Sequence, residues 1–224
     1  MTRTLRIGPT DNTSDQRTPR AALRAIPPAA RASFVPVAPA MAAPHWEWDM
    51  TRIAPGRPRA RGETMEVTGM VRTATGRPVP HALLEVWSAN PHGRYAHAED
   101  ASDLPLDPDF LGMGRVLTDA AGAYRFRTLV PGAYLARPDI GRWRPRHVHL
   151  SVTGGAARLV TQAYFEGDPH NDRDPMRILM GDDFARNLLV PAEAAEDVDR
   201  AFRFDIVVGG ANATFFEDHA RAPS

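Results

Sequence analysis

Short β-prone runs separated by turn sequences fill the chain from residue 64 onwards and constrain its fold most strongly. The turns at 75–78, 119–122 and 154–155 contain glycine, proline or aspartate, which supply the backbone angles that a reversal needs. Because little helical periodicity separates the runs, a parallel sheet of βαβ units is disfavoured and an all-β, antiparallel β-sandwich is predicted. The predicted strands are 65–72, 82–89, 123–130, 147–152, 158–165 and 202–208.

The first 62 residues read differently, since they are rich in proline, alanine and arginine and show little periodicity. They predict a partly irregular N-terminal arm, residues 1–62, before a β-sandwich domain of residues 63–224. One helix is predicted at 191–201, where a proline can begin it and acidic residues follow. The long irregular stretches 90–114 and 130–145 are expected to form a site, since loops on a rigid sheet often carry function.

Composition excludes several classes of protein. Acidic and basic side chains number 27 each and form no basic block, so a nucleic-acid partner is not expected. The absence of cysteine excludes disulfides, thiolate metal sites and a cysteine nucleophile. The N-terminus carries arginines but no apolar signal core, and no segment approaches the length of a membrane span, so a cytoplasmic protein without membrane contact is expected.

Two histidines separated by one residue indicate where chemistry could occur. His147 and His149 lie within a predicted strand, in which side chains two positions apart project from the same face. Both imidazoles could therefore reach one metal ion. Zinc, copper, nickel and non-haem iron are all compatible with such a pair.

Carboxylates could complete this pair in two ways. Asp139 or Glu166 would give the two-histidine, one-carboxylate set of many ferrous oxygenases. A zinc hydrolase could instead use His97, His170 or Asp172. No close spacing singles out either set, and both remain open.

Phenolate oxygens are the third option, offered by Tyr95 and Tyr134 in the two irregular stretches. A phenol is a poor ligand at its ordinary pKa of about 10, but a trivalent cation stabilises the phenolate at neutral pH. Hard anionic oxygen suits ferric iron. Half-buried tyrosines with a satisfied hydroxyl are nevertheless commoner than tyrosine ligands. In the same way, Trp87 is interpreted as a core or interface aromatic residue.

Several ordered segments resemble the intradiol ring-cleaving dioxygenases, and the similarity extends from about residue 65 to residue 216. Within that family, the pattern is most similar to the iron-bearing, β-type subunits of the enzymes that cleave protocatechuate. The segments are Gly-Arg-Tyr at 93–95, Gly-Met-Gly-Arg at 112–115, Gly-Ala-Tyr-Arg-Phe at 122–126, Pro-Gly-Ala-Tyr at 131–134, Trp-Arg-Pro-Arg-His-Val-His at 143–149 and Thr-Gln-Ala-Tyr-Phe-Glu-Gly-Asp-Pro at 161–169.

The resemblance implies an intradiol-type β-sandwich that holds one mononuclear Fe(III) per chain. Its ligands would be Tyr95, Tyr134, His147 and His149, with hydroxide as the fifth. The implied reaction is cleavage of a catechol ring by O2 to a cis,cis-muconate, with both oxygen atoms entering the product. Catechol binding would release Tyr134, which would then accept a substrate proton.

The resemblance also implies contacts to the substrate. Arg144 would place a fixed positive charge beside the ring, Gln162 would line the site, and Met176 would form an apolar wall. The chain departs from the protocatechuate-cleaving pattern at two places. It has Leu135-Ala136 where that pattern has Pro-Trp, and residues 11–18 lack the tyrosine that the pattern has near the substrate.

Both departures affect substrate specificity and leave the iron ligands unchanged. Protocatechuate or a related substituted catechol is the expected substrate, with catechol- or hydroxyquinol-type specificity as an alternative. The chain is expected to form an oligomer that could include an α-type subunit. A ligand-bearing subunit that is inactive alone is the competing hypothesis.

Overall fold

The computed structural model describes residues 48–97, 100, 102–154, 157–193, 196–210 and 212–215 of the 224-residue chain. Of the predicted arm, residues 1–47 lie outside the described residues, as do residues 216–224 of the predicted domain. Residues 50–62 form turns, bends and irregular backbone. Asp49 makes a parallel bridge to Arg127, and this contact joins the end of the arm to the sheet.

Strands account for most of the regular structure. The β-prone runs form strands because their alternate apolar side chains become buried when the strands pair. The strands of the described residues are β1 (Thr64–Thr73), β2 (Leu83–Trp87), β3 (Met113–Leu117), β4 (Ala123–Leu129), β5 (Tyr134–Arg137), β6 (Arg142–Arg144), β7 (His147–Gly154), β8 (Ala157–Phe165), β9 (Leu188–Ala192), β10 (Arg200–Arg203) and β11 (Ile206–Val208).

The main sheet is mixed. Its strand order is β11-β1-β10-β9-β8-β7-β2-β3, with β4 also paired to β1, and β5 and β6 form a separate hairpin. The prediction of a mainly β fold is confirmed. The predicted antiparallel pairing occurs in most of the ladders, but β1 pairs in parallel with β10 and β11, and β8 pairs in parallel with β9.

A glycine in β1 explains how the chain passes between β10 and β11. The predicted strand 202–208 is broken there, since Phe204 leaves the ladder and donates its backbone N–H to the carbonyl of Thr68 at 2.9 Å. A Cβ added at Gly69 would lie 1.9 Å from the Phe204 carbonyl oxygen. Only glycine therefore permits this close approach of the two backbones.

The helix predicted at 191–201 is wrong. Pro191 lies within β9 and pairs with Phe202 of β10 in an antiparallel register. Leu189 and Phe202 are buried there, so packing against the sheet outweighs the local helix signals. The α-helix that the described residues do contain is α1 (Pro175–Met180), and 3-10 turns occur at Pro138–Ile140, Asn171–Arg173 and Gly181–Asn187.

Strand β7 separates the main core from the region of the two histidines. Val148 and Leu150 are fully buried in the main apolar core, and each contributes about 1.5–3 kcal/mol on burial. His147 and His149 alternate with them and therefore face the other side of the strand. The irregular stretches expected to build a site include the first two residues of β3 and the whole β5–β6 hairpin. Among the described residues no helix is long and apolar enough to cross a bilayer.

Candidate metal and substrate site

Two imidazoles and one phenol converge beside β7. The Nε2 atoms of His147 and His149 are 3.1 Å apart, and the Tyr95 hydroxyl oxygen lies 3.4 Å from the first and 3.1 Å from the second. All three side chains are at most 2% exposed. The strand holds the histidines on one face, while Tyr95 reaches them from the irregular stretch after β2.

Tyr134, the first residue of β5, completes the group. Its ring meets that of Tyr95 edge-on, with centroids 5.5 Å apart and an interplanar angle of 87°. It also lies 5.9 Å from the His147 ring, centroid to centroid, and is buried. The structure thus brings together all four side chains that the family resemblance implied as ligands.

The backbone conformation before each tyrosine brings the two phenols close. Gly93 has a φ of +84°, which favours glycine, and a Cβ there would lie 2.4 Å from the Ala133 carbonyl oxygen. A Cβ at Gly132 would lie 2.4 Å from the Pro91 carbonyl oxygen. The segments leading to Tyr95 and Tyr134 are therefore in direct backbone contact.

The surroundings of His147 favour its neutral form. Burial lowers the pKa of this imidazole well below its usual 6.5, and the positive charge of Arg144 lowers it further, whereas a hydrogen bond to the Pro145 carbonyl raises it. In the neutral ring, Nδ1 donates to the Pro145 oxygen at 2.7 Å, so Nε2 is an acceptor. That nitrogen points at the other donors and is in the protonation state that a metal ligand requires.

Arg144 lies in a buried polar network next to these donors. Its Nε donates to Asp174 at 3.2 Å, and its Nη2 donates to the Gln162 side-chain oxygen at 2.5 Å and to the Tyr164 hydroxyl at 3.2 Å. The Tyr164 hydroxyl donates to the same Gln162 oxygen at 2.7 Å. The Arg144 side chain is 2% exposed and that of Asp174 is 0%, so the ion pair is shielded from water.

This network is joined to the histidines through β8. His149 pairs with Gln162 in the β7–β8 ladder, and His147 pairs with Tyr164, whose ring lies 5.6 Å from the imidazole at an angle of 30°. Met176, in the first turn of α1, belongs to the same buried cluster as Tyr164. The proposed substrate residues therefore adjoin the four converging side chains.

The carboxylates considered for the histidine pair lie elsewhere. Glu166 and Asp172 are exposed, and Asp139 is an exposed partner of Arg137. His170 stacks on the exposed Trp143, with centroids 5.3 Å apart. In the part of the chain that the structure describes, no three or more His, Asp or Glu side chains are grouped so that they could hold a metal ion.

Three residues near the site were not assigned roles in it by the sequence. Trp87 stacks on His149, Tyr164 contacts both Arg144 and His147, and Asp174 pairs with Arg144. For two of these residues the sequence contained a pattern that could have indicated their position. Tyr164 lies two positions after Gln162, on the same face of a strand, and Asp174 precedes a proline as a helix cap would. The ion pair between Asp174 and Arg144 had no local signal.

The donor types fit ferric iron. Two phenols, once ionised, would supply two negative charges through hard oxygen, and two neutral imidazoles would supply nitrogen. A cation among these groups would also separate the closely spaced ring nitrogens and stabilise the phenolates. Carboxylates are absent from this donor set as the structure describes it, which distinguishes it from the two-histidine, one-carboxylate arrangement.

Comparisons with known proteins show the family of the chain. A family model described as Dioxygenase matches residues 38–210. The protocatechuate 3,4-dioxygenase beta chain of Burkholderia cepacia is 44% identical over 75% of this chain and 74% of its own length. A chlorocatechol 1,2-dioxygenase of Rhodococcus opacus is 35% identical, but the match covers 54% of this chain and 50% of that protein.

A solved structure shares the architecture. The crystal structure of catechol 1,2-dioxygenase from Pseudomonas arvilla C-1 superposes with a TM-score of 0.53 and 28% sequence identity, over 79% of this chain and 59% of the other. The chain thus spans about half to three-fifths of the two catechol-type relatives, whereas it spans three-quarters of the protocatechuate beta chain. The expected resemblance is confirmed, and the chain belongs to the intradiol ring-cleaving dioxygenase family.

Proposed function

We propose that this chain is a protocatechuate 3,4-dioxygenase-type enzyme that holds one mononuclear Fe(III) and cleaves protocatechuate or a related substituted catechol with O2. The convergence of two buried phenols and two buried imidazoles carries this proposal. The similarity to a protocatechuate 3,4-dioxygenase beta chain over three-quarters of both proteins supports the substrate class. The product would be a cis,cis-muconate that contains both oxygen atoms.

The proposed iron ligands are Tyr95, Tyr134, His147 and His149. When bound, ferric iron would lower the pKa of the phenols and activate a catechol towards O2. Burial of the four side chains excludes bulk water, which strengthens the electrostatic interactions among them. Neutral His147, whose Nδ1 is held by the Pro145 carbonyl, is oriented as a nitrogen donor.

Tyr134 would act as the base. Its phenolate oxygen would accept the proton from one catechol hydroxyl and return it later in the cycle. Arg144 would place its guanidinium beside the substrate and stabilise negative charge that develops on the ring, since the network with Asp174 fixes its orientation. Gln162 would orient the substrate, and Met176 would provide an apolar surface for the ring.

Ala136, the residue after Leu135, bears on which substituent the substrate ring carries. Ala136 is fully buried in one cluster with Trp87, Tyr95 and Tyr134. The small side chain stands where the protocatechuate-cleaving pattern has tryptophan, which supports a ring substituent other than carboxylate as the alternative. Catechol- or hydroxyquinol-type specificity is that alternative, and the chlorocatechol-cleaving relative supports it.

The organisation of the protein is proposed as well. Residues 63–224 would form one catalytic domain of the intradiol sandwich type. One layer would contain β1, β4, β9 and β10 and the other β2, β3, β7 and β8, since the strands of each group pair with one another. Residues 1–62 would form an arm. An oligomer that includes an α-type subunit is proposed because a relative is named as a beta chain.

Oxygen uptake by the purified, iron-loaded chain tests the reaction. Protocatechuate, catechol, chlorocatechol and hydroxyquinol are supplied separately, and a muconate is identified as the product. We expect turnover of at least one substrate together with visible tyrosinate-to-iron absorption. A colourless iron-replete protein would contradict the proposed ligand set. Turnover by the chain alone would exclude an obligatory partner, whereas turnover only with a co-expressed α-type subunit would support one.

Variants of the two tyrosines separate this proposal from a site built on carboxylates. Replacement of Tyr95 or Tyr134 by phenylalanine should abolish or shift the visible absorption and lower activity by orders of magnitude. Tyr124→Phe is the matched control, because Tyr124 is buried in the main core. Unchanged iron content, colour and activity in both Tyr95→Phe and Tyr134→Phe would refute tyrosine ligation.

A further inference from the structure

Asn90 lies where the two tyrosine-bearing segments meet. It follows β2 and is 1% exposed, which is unusual for an asparagine unless its polar atoms are satisfied. Its side-chain oxygen accepts backbone N–H groups from His92 at 2.9 Å and from Arg94 at 3.0 Å. Its side-chain nitrogen donates to the Pro105 carbonyl at 2.8 Å. One side chain therefore closes the turn that leads to Tyr95 and ties it to the stretch that follows.

The backbone of Asn90 extends these contacts to the second tyrosine. Its carbonyl oxygen accepts from Gly93 at 2.9 Å and from Gly132 at 3.0 Å, and its N–H donates to the Arg94 carbonyl at 2.8 Å. Gly132 lies two residues before Tyr134, and Gly93 lies two residues before Tyr95. The Asn90 carbonyl is thus bonded to both segments, and in each segment the bonded glycine lies two residues before the tyrosine.

Close backbone packing leaves little freedom between the segments. A Cβ at Gly132 would lie 2.6 Å from the Gly93 nitrogen, and a Cβ at Gly93 would lie 3.1 Å from the Tyr134 Cβ. A displacement of the turn closed by Asn90 would therefore be transmitted to Tyr134 as well as to Tyr95. The two phenol rings that these segments carry meet edge-on, with centroids 5.5 Å apart.

We infer that Asn90 is a positioning residue that sets the separation and orientation of the Tyr95 and Tyr134 phenols. This inference rests on the proposed function, in which both phenols bind ferric iron. Asn90 does not belong to the ligand set, and its side chain acts through the turn at residues 92–94. Its loss should disturb the geometry of the phenolates around the metal, beyond any general loss of stability.

Asn90→Ala removes the three side-chain bonds and should weaken iron binding about 10- to 100-fold, the usual effect of losing a group that orients metal ligands. The energy of the tyrosinate-to-iron absorption should also shift. Asn90→Asp retains the acceptor oxygen for His92 and Arg94, and we expect it to keep the absorption maximum of the parent protein. Rescue by this conservative change would identify the acceptor oxygen as the positioning atom.

Asn171→Ala is the matched control. Asn171, which begins a 3-10 turn, is also a buried asparagine whose side-chain nitrogen donates to a backbone carbonyl, that of Phe165, at 2.9 Å. It should lose thermal stability without a change in the absorption maximum or in iron affinity. Each variant is measured by thermal unfolding of the iron-free chain, by competition for Fe(III) with a chelator, and by visible absorption after loading.

The outcomes are distinguishable. A parent protein that binds Fe(III) without tyrosinate absorption contradicts the proposed function. A coloured parent protein whose Asn90→Ala variant keeps its absorption maximum and iron affinity overturns the role of Asn90. If Asn90→Ala does not fold, Asn90→Ser replaces it; a shifted absorption maximum together with weaker iron binding supports the inference, and an unchanged spectrum and affinity overturn it. A shifted spectrum in Asn90→Asp, which lacks the donor to the Pro105 carbonyl, shows that the bonds to His92 and Arg94 alone do not set the phenol geometry.

Discussion

The indole ring of Trp87 lies parallel to the imidazole ring of His149, with centroids 4.9 Å apart and an angle of 5° between the planes. The two residues are also directly paired in the β2–β7 ladder. This stack restricts rotation of the His149 ring, because the indole covers one of its faces. Trp87, which the sequence indicated only as a core or interface aromatic residue, therefore also supports a proposed ligand.

Replacing Trp87 should affect both stability and iron binding. Trp87→Ala is expected to lower the free energy of unfolding by about 3–5 kcal/mol, as large-to-small changes of buried tryptophan do. Trp87→Phe should lower the free energy of unfolding by less and should retain most of the iron affinity, because a ring still covers His149. Urea unfolding and chelator competition measure the two effects. Equal iron affinity in the alanine and phenylalanine variants would contradict a role for the stack.

The ion pair between Arg144 and Asp174 should respond strongly to loss of one partner. Asp174→Asn keeps the size of the side chain and its ability to cap α1 but leaves the Arg144 charge buried and uncompensated. A loss of about 3–5 kcal/mol is expected from removing one partner of a buried pair. Asp183→Asn, in an exposed pair with Arg186, is the control and should change much less. Similar urea midpoints for the two variants would show that the buried pair is not strongly coupled.

Gly132 provides a test of the contact between the tyrosine segments. A Cβ there would meet backbone atoms of Pro91, His92 and Gly93 at 2.4–3.0 Å, so Gly132→Ala must displace the backbone. We expect a loss of about 1–3 kcal/mol, typical of overpacking, together with weaker iron binding. Gly56→Ala is the control, since Gly56 has a φ of +77° but open space around it. It should lose stability through backbone strain and keep the iron affinity of the parent chain.

Tyr124 should make stability depend on alkaline pH. Burial raises the pKa of this phenol well above 10.0, and the negative charge of Asp205 raises it further, while Arg203 lowers it. The unfolded chain therefore loses this proton at a lower pH than the folded chain does. Stability from this group is fully present below the unfolded pKa of about 10 and is lost as pH rises towards the folded value.

Urea unfolding between about pH 8 and pH 11 measures this dependence. The Tyr124→Phe variant should show a shallower decline above about pH 10, because it lacks the group. It should also be less stable at neutral pH, since the hydroxyl donates to the Phe204 carbonyl at 2.5 Å. Parallel pH profiles for the two proteins would show that another group causes the alkaline loss of stability.

Most strands were predictable because their burial pattern is local. The predicted runs coincide with β1, β2, β4, β7 and β8, and the last run covers the second half of β10 and all of β11. β3, β5, β6 and β9 were not predicted, since they are short and contain glycine, proline or arginine. Pro191 and the acidic residues after it predicted a helix, but the pairing of Leu188–Ala192 with Arg200–Arg203 buries apolar side chains that an isolated helix would leave exposed.

The sequence by itself determined the donor types: His147-Val148-His149 on one strand, and tyrosines in two long stretches. Their spacing left the metal and the remaining ligands open, and the family resemblance supplied the expected set. Only the tertiary structure decided which side chains meet, because 52 residues separate Tyr95 from His147 and 30 separate Arg144 from Asp174. Such contacts depend on sheet register and on close backbone packing at Gly93 and Gly132, and neither is encoded in local periodicity.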